Sequence, residues 1–282
     1  MAELFRRDMR VSIGPLQIKS LDREGFEQPL LKMKFAIDAA VTSTPNKAKL
    51  QIWNLAENNR KRVQEKNLPV VLEAGYANLI RILFRGDVRF SSTVRQGPNW
   101  ITTVNAGDGQ SRYKSARINE NLPSGTSIGD VLDIASKSLG VDLGNLAKKA
   151  QAGSVRAGLS EWVNGGVLVG KASDVISQIA KSMGLQWSVQ GGSLLFLEEQ
   201  ETTDDSVVVI SATTGMIGSP DVGEDGRVNV SSLLNGDLFP GRRIIIESRQ
   251  VSGLHRVDKV KHVGDTWGGE WNSNMEARPI GG

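Results

Sequence analysis

The sequence has no cysteine among its 282 residues. That absence excludes a disulfide framework, a thiolate metal site and a thiol nucleophile together. Histidine is nearly as scarce, with two residues, His255 and His262. They lie in a region of β pattern, seven apart, and on one uninterrupted strand they would point to opposite faces. They read as surface strand histidines rather than as metal ligands. A long apolar run is missing as well. No window approaches the roughly 18 apolar residues that a membrane-spanning helix needs, and the Arg6-Arg7 pair is followed by no apolar signal segment. The expectation is a soluble chain made in a cytoplasm, with no membrane insertion of its own. Nor does one sign of charge prevail: 34 Lys and Arg stand against 31 Asp and Glu, a net charge of +3. That balance is too even to argue nucleic-acid binding from electrostatics.

What the chain does have is glycine, 31 residues of it, beside an ordinary 39% of hydrophobic residues. Such a composition points to many turns and favours β structure. The length allows one large domain or two to three smaller ones, each with a core of its own. Residues 1–105 alternate in the manner of half-buried strands. Val11, Ile13, Leu16 and Ile18 open the pattern; Met33, Phe35 and Ile37 then interleave with Lys32, Lys34 and Ala36, and Leu50 and Ile52 with Lys49 and Gln51. Asn54 is placed to cap a short helix carrying Leu55, Arg62 and Val63. Further short strands run through Val70, Ile82, Val88 and Ile101, so this segment predicts a compact barrel or sandwich.

From about 106 to 205 the period changes from two towards 3.6. Ile128, Val131, Leu132, Ala135 and Leu139 share one helical face, and Gly140 stops the helix. The same design returns 44 residues later: Asp130, Val131, Lys137, Ser138 and Gly140 match Asp174, Val175, Lys181, Ser182 and Gly184 without a gap. Two related helical units are therefore expected. The second runs on into a hairpin turning at Gly191-Gly192. Residues 148–166 are polar and carry Leu159 and Trp162 as isolated anchors, and the acidic residues 198–205 read as a solvated linker. The last segment, 206–282, is β again. Residues 213–226, rich in Gly, Pro and Asp, read as a loop. A meander follows: Ile244, Ile245 and Ile246, then Val257, Val260 and Val263, then residues 270–277. The expected architecture is mainly β with an α/β insert, in domains 1–105, 106–205 and 206–282.

No catalytic constellation stands out. Asp130 with Asp133, and Asp204 with Asp205, are carboxylate pairs of the kind glycoside hydrolysis uses. Asp130 and Asp174, however, fall at the opening turns of their helices, where a carboxylate meets free N–H groups and the positive end of the dipole. The glycine clusters at 107–109 and 264–269 lack the strand, loop and helix order of a phosphate cradle. The basic groups Arg6-Arg7-Arg10, Arg60-Lys61-Arg62 and Arg242-Arg243 are short, with no stacking aromatic beside them in sequence. They read as solvated faces or subunit salt bridges. Core or interface packing is the reading for Trp53, Trp100, Trp162, Trp187, Trp267 and Trp271. No catalytic, cofactor-binding or metal residue is assigned.

The order of parts resembles a known family. Lys47-Ala48-Lys49-Leu50-Gln51-Ile52-Trp53-Asn54-Leu55, Leu238-Phe239-Pro240-Gly241-Arg242, and His262 with Gly264-Asp265-Thr266-Trp267-Gly268-Gly269-Glu270-Trp271 are similar to segments of the central baseplate hub protein of tailed phages. The resemblance implies two tail-tube-like β-barrel or sandwich domains flanking a helix-plus-hairpin domain. It implies a structural virion protein in the tail baseplate, assembled in the host cytoplasm. Its homotrimeric ring would adapt the sixfold tail tube to the threefold central spike. Implied partners are the tail tube protein, the central spike protein and neighbouring baseplate proteins, with the tape-measure protein and DNA passing through the channel; no enzyme activity and no cofactor are implied. Two other readings stand beside it. One is a tail-associated glycan or cell-wall hydrolase using Asp130 and Asp174, the other a monomeric carbohydrate-binding module stacking sugars on Trp162 and Trp187.

Overall fold

A computed structural model describes residues 6–20, 31–76, 79–108, 113, 115–146, 149, 165–203 and 206–281. Leu159, Trp162, Asp204 and Asp205 lie outside the described residues. The chain divides into two compact units. One combines residues before and after the insert, Asn46–Gly107 and Thr202–Gly282 among them. The other comprises Asp108–Glu201 and the short stretch Val41–Pro45.

The first unit opens with β1 (Arg7–Ile13), β2 (Leu16–Lys19), β3 (Met33–Ala40) and β4 (Lys47–Trp53), continues through α1 (Glu57–Arg62), and adds β5 (Pro69–Tyr76), β6 (Leu79–Gln96) and β7 (Asn99–Gly107). Alternation does here what it predicts: Met33, Phe35 and Ile37 of β3 and Ala48, Leu50 and Ile52 of β4 are buried, while Lys34, Lys47 and Lys49 face outward. Burial of each large aliphatic side chain is worth about 1.5–3 kcal/mol, and these residues form one core with Met9, Leu72 and Val104.

The second unit begins with β8 (Arg117–Leu122), α2 (Ile128–Leu139) and β9 (Gly166–Lys171), followed by α3 (Ala172–Ser182), β10 (Gln186–Gln190) and β11 (Ser193–Leu197). The predicted pair of helices is present, and their ends match at the repeat spacing. Val141 N–H bonds the Ser136 carbonyl at 3.1 Å, and Leu185 N–H bonds the Ala180 carbonyl at 2.8 Å. Each closure follows a glycine in the left-handed region, Gly140 (φ 69°) and Gly184 (φ 69°). Apolar faces of both helices share one core with Trp187 and Phe196. The hairpin β10–β11 turns at Gly191-Gly192 as expected.

The remaining strands return to the first unit: β12 (Val208–Ser211), β13 (Met216–Val222), β14 (Val228–Leu233), β15 (Arg243–Glu247), β16 (Ser252–Asp265) and β17 (Trp271–Pro279). Val230, Ile244, Ile246, Val257 and Met275 form a core of their own. The long strand β16 organises the unit. One edge pairs with β17, and the other pairs first with β15 and then, from Lys259 to Asp265, with β3. Thirteen strands thereby join in one sheet, running β13-β14-β17-β16-β3-β4-β7-β6-β5-β1-β2, with β12 and β15 off this path.

Two sequence readings are corrected. Residues 213–226 are not loop throughout, because Met216–Val222 forms a strand at the sheet's terminus. Its register with β14 breaks between Ile217 and Asp221, and a bulged edge strand accommodates Gly218 and Pro220, which a central strand would not. Asn54 does not cap α1, whose N-cap is Ala56 without a side-chain bond. Asn54 takes a positive φ of 55°, and its side-chain oxygen accepts the Trp100 N–H at 2.9 Å.

Candidate functional site

The two histidines lie on one strand but are both buried, contrary to the surface reading. The β16–β17 register shifts between Val257 and Lys259. A bulge inserts one residue, so positions seven apart fall on the same face instead of opposite ones. The Asp258 carboxylate at this bulge takes Arg256 Nε at 2.8 Å and Arg278 Nε at 2.6 Å, which gives the fully buried Arg256 a counter-charge.

His262 Nε2 lies 3.0 Å from the Leu238 carbonyl. A carbonyl only accepts, so Nε2 carries the proton and Nδ1 accepts from the Ser273 hydroxyl at 2.8 Å. Ser273 Oγ in turn accepts the Asn235 N–H at 3.1 Å. Burial pushes the imidazole pKa down to about 4, against a smaller upward pull from the Leu238 bond. Both ring nitrogens are thus engaged, and His262 ties the Leu238-Phe239-Pro240-Gly241-Arg242 segment to the sheet. No group of three or more His, Asp or Glu side chains suited to a metal is found among the described residues.

The residues after His262 fasten the C-terminal strands to the N-terminal ones. Gly264 is required by the ring pair it adjoins: a Cβ there would stand 2.3 Å from Phe35 Cε1, and Phe35 meets Trp271 edge-on with centroids 5.5 Å apart. Asp265 pairs with Lys34 at 2.9 Å and accepts the Trp267 N–H at 2.9 Å. Thr266 bonds Met33 through both backbone and side chain. Arg7 donates to the Asp265 and Gly269 carbonyls and lies over Trp271. Arg7 and the buried Arg242, which donates to Ser206 and lies over Phe239, therefore serve the fold rather than a solvated face.

Asp130 accepts from Ser127 N–H at 3.1 Å while Ser127 Oγ accepts the Asp130 N–H at 3.1 Å, a reciprocal cap on α2. The Ser127 hydroxyl also donates to the carboxylate, and these bonds lower its pKa. Asp174 lies in the first turn of α3, whose N-cap Lys171 makes no side-chain bond. Trp187 offers no stacking face: it is buried, donates to Ser177 Oγ at 3.1 Å and stacks on Tyr113 at 6.1 Å.

What remains outside the cores is an aromatic rim at one end of the first unit's sheet. Trp53 ends β4, Trp100 begins β7, and Trp267 occupies the β16–β17 turn, 61% exposed. Lys32 lies over both Trp53 (4.9 Å) and Trp267 (6.0 Å). Arg60 lies 4.4 Å and Arg95 5.9 Å from the Trp100 ring. The aromatic neighbour that the Arg60-Lys61-Arg62 group lacks in sequence is supplied by a distant strand. Trp and Arg together are the composition of interface anchors.

A family model of baseplate hub gp41 matches residues 17–251. The chain belongs to the baseplate hub gp41 family. No curated protein sequence matches this hub protein. Among solved structures it is similar to the 43 kDa tail protein of prophage MuSo2 from Shewanella oneidensis, with TM-score 0.65 and 8% identity over 97% of this chain and 98% of that one. A tail protein from Neisseria meningitidis MC58 gives TM-score 0.62 and 10% identity, covering 98% and 97%. A type VI secretion component of E. coli, itself similar to T4 tail proteins gp27 and gp5, gives TM-score 0.56 and 9% identity, covering 96% and 77%. At these identities the likeness is one of fold, and it runs the length of the hub chain. The hub protein is thus mainly β with an α/β insert, in the manner of phage tail proteins, and is a structural component of the virion's tail baseplate.

Proposed function

We propose that this hub protein adapts symmetry: three copies close into a ring whose tube-like halves present six similar faces to the tail tube and three to the central spike. The observation that carries the reading is the paired construction of the first unit. Its N-terminal and C-terminal strands hold separate hydrophobic cores, one around Phe35 and Leu50 and one around Ile244 and Met275, yet are stitched together by β3 and β16. In this reading segments 1–105 and 206–282 are the two tube-like domains, and 106–205 is the intervening one. Two related modules in each of three copies supply pseudo-sixfold symmetry with only one kind of subunit. The work is geometric and no bond is made or broken. Tube protein, spike protein and neighbouring baseplate proteins bind the ring's two ends, and the channel passes the tape-measure protein and then DNA. Assembly takes place in the host cytoplasm before the tail is complete.

The test is reconstitution. Purified hub protein mixed with the tail tube protein and the spike protein of the same phage is expected to form a ternary complex with three hub copies. Binding to neither protein, at any ratio, would contradict the adaptor reading.

A further inference from the structure

The aromatic rim is a permanent feature of the fold rather than a loose surface. Trp53 and Trp100 are held by the Asn54 turn, whose backbone N–H donates to the Trp100 carbonyl at 2.7 Å. Trp267 is fixed by the Asp265 side chain. Neither Lys32, Arg60 nor Arg95 has an ion-pair partner among the described residues, so each leaves its charge beside an aromatic ring.

At the other end of the same sheet the chain carries a surface of opposite character. The end of β13 and the turn after it present Asp221, Glu224 and Asp225, all exposed, next to Val222, which is 54% exposed. Hydrogen bonds close this turn: Gly223 N–H bonds the Arg227 carbonyl at 2.8 Å, Gly226 N–H bonds the Gly223 carbonyl at 3.0 Å, and Asp225 accepts the Arg227 N–H at 3.1 Å. Asp225 is partly neutralised by Arg227 at 3.2 Å. Asp221 and Glu224 have no ion-pair partner among the described residues.

The register separates the two surfaces. Val228 pairs with Ala277, whereas Gly264 pairs with Trp271 at the rim end. Six residues of strand at 3.3–3.4 Å each put about 20 Å between them. No chain can satisfy its own rim with its own acidic turn, but a second copy can. We propose that the rim around Trp267 and Trp100 receives the β13–β14 turn of a neighbouring copy, Val222 meeting the tryptophans and Glu224 and Asp221 meeting Lys32, Arg60 and Arg95. A contact between two unlike surfaces is heterologous and closes into a ring when successive copies turn by a third of a circle. The inference rests on the ring reading above and names the surfaces that would build it. Nucleic acid fits the rim less well. Lys32 already lies over faces of Trp53 and Trp267 that a base would need.

The test measures self-association of the full chain by sedimentation velocity, for wild type, the rim variant Lys32→Glu/Arg60→Glu, the turn variant Asp221→Lys/Glu224→Lys, and the four changes combined. Each pair alone is expected to weaken association at least about tenfold, and the combination is expected to restore it. Trp267→Ala should weaken it without altering its salt dependence. An oligomer indifferent to every variant would overturn the contact and leave the ring reading standing, as would two weakened variants that fail to rescue each other. A wild-type chain that remains monomeric at every concentration would overturn the contact, and reconstitution with the tube and spike proteins would then judge the ring reading separately. A labelled single-stranded oligonucleotide bound by wild type and lost on Arg60→Glu, with association unchanged, would assign the rim to nucleic acid instead.

Discussion

At His262 a buried imidazole has both nitrogens committed, and burial holds its pKa at about 4, below the ordinary 6.5. Below pH 6.5 the unfolded chain takes up a proton that the folded chain refuses until about pH 4. This group's contribution is therefore intact above neutrality and is lost as pH falls through that window, amounting to about 3 kcal/mol in full. Urea unfolding at pH 7.5 and 4.5 should show His262→Gln losing less stability on acidification than wild type does, by about 2–3 kcal/mol. Equal losses in the two proteins would mean that the imidazole is accessible to protons. Gly264 acts through space rather than charge. Gly264→Ala should cost about 1–3 kcal/mol and disturb the near-ultraviolet signal of Trp271, because its methyl group would intrude on the Phe35–Trp271 pair. A variant as stable as wild type would remove the reason for glycine at that position.

Among the elements, β15 and α2 make opposite predictions. Ile244 and Ile246 are fully buried in the second core of the first unit, so Ile244→Asp should leave no folded protein, as an unpaired charge cannot be accommodated there. Asp130→Asn touches only the exposed cap of α2 and should keep fold and assembly intact at a cost of about 1 kcal/mol or less. Thermal melts of both proteins check the contrast; an Asp130→Asn chain that folds but fails to assemble would give that carboxylate a role beyond capping.

The same elements show how much the sequence discloses. Helices α2 and α3 were legible because period, cap and stop glycine are local signals, repeated 44 residues apart. β13 was not, since Gly218 and Pro220 signal a loop unless the strand lies at a bulged edge. Histidine orientation failed at one inserted residue, Asp258, which no composition rule reveals. The hub motifs were visible as strings, but their purpose was not: Gly264, Thr266 and His262 act on Phe35, Met33 and Leu238, residues brought near only by the fold. For the same reason the rim was invisible, because Trp53, Trp100 and Trp267 belong to three separated segments, and Arg60 finds its aromatic partner on the distant strand β7.

For the whole molecule, the family match and the length-spanning fold likeness establish a baseplate hub protein, and the proposal adds how many copies act together. Two cores joined by β3 and β16 are what the proposed ring would use, each chain offering two modules to a sixfold tube. The most direct test is the mass of the purified protein by light scattering, with electron micrographs of the same peak, in the presence of its spike protein. The account predicts a complex containing three times the 30.5 kDa chain mass with a central hole; hub chains that bind the spike one at a time and never enclose a channel would contradict it.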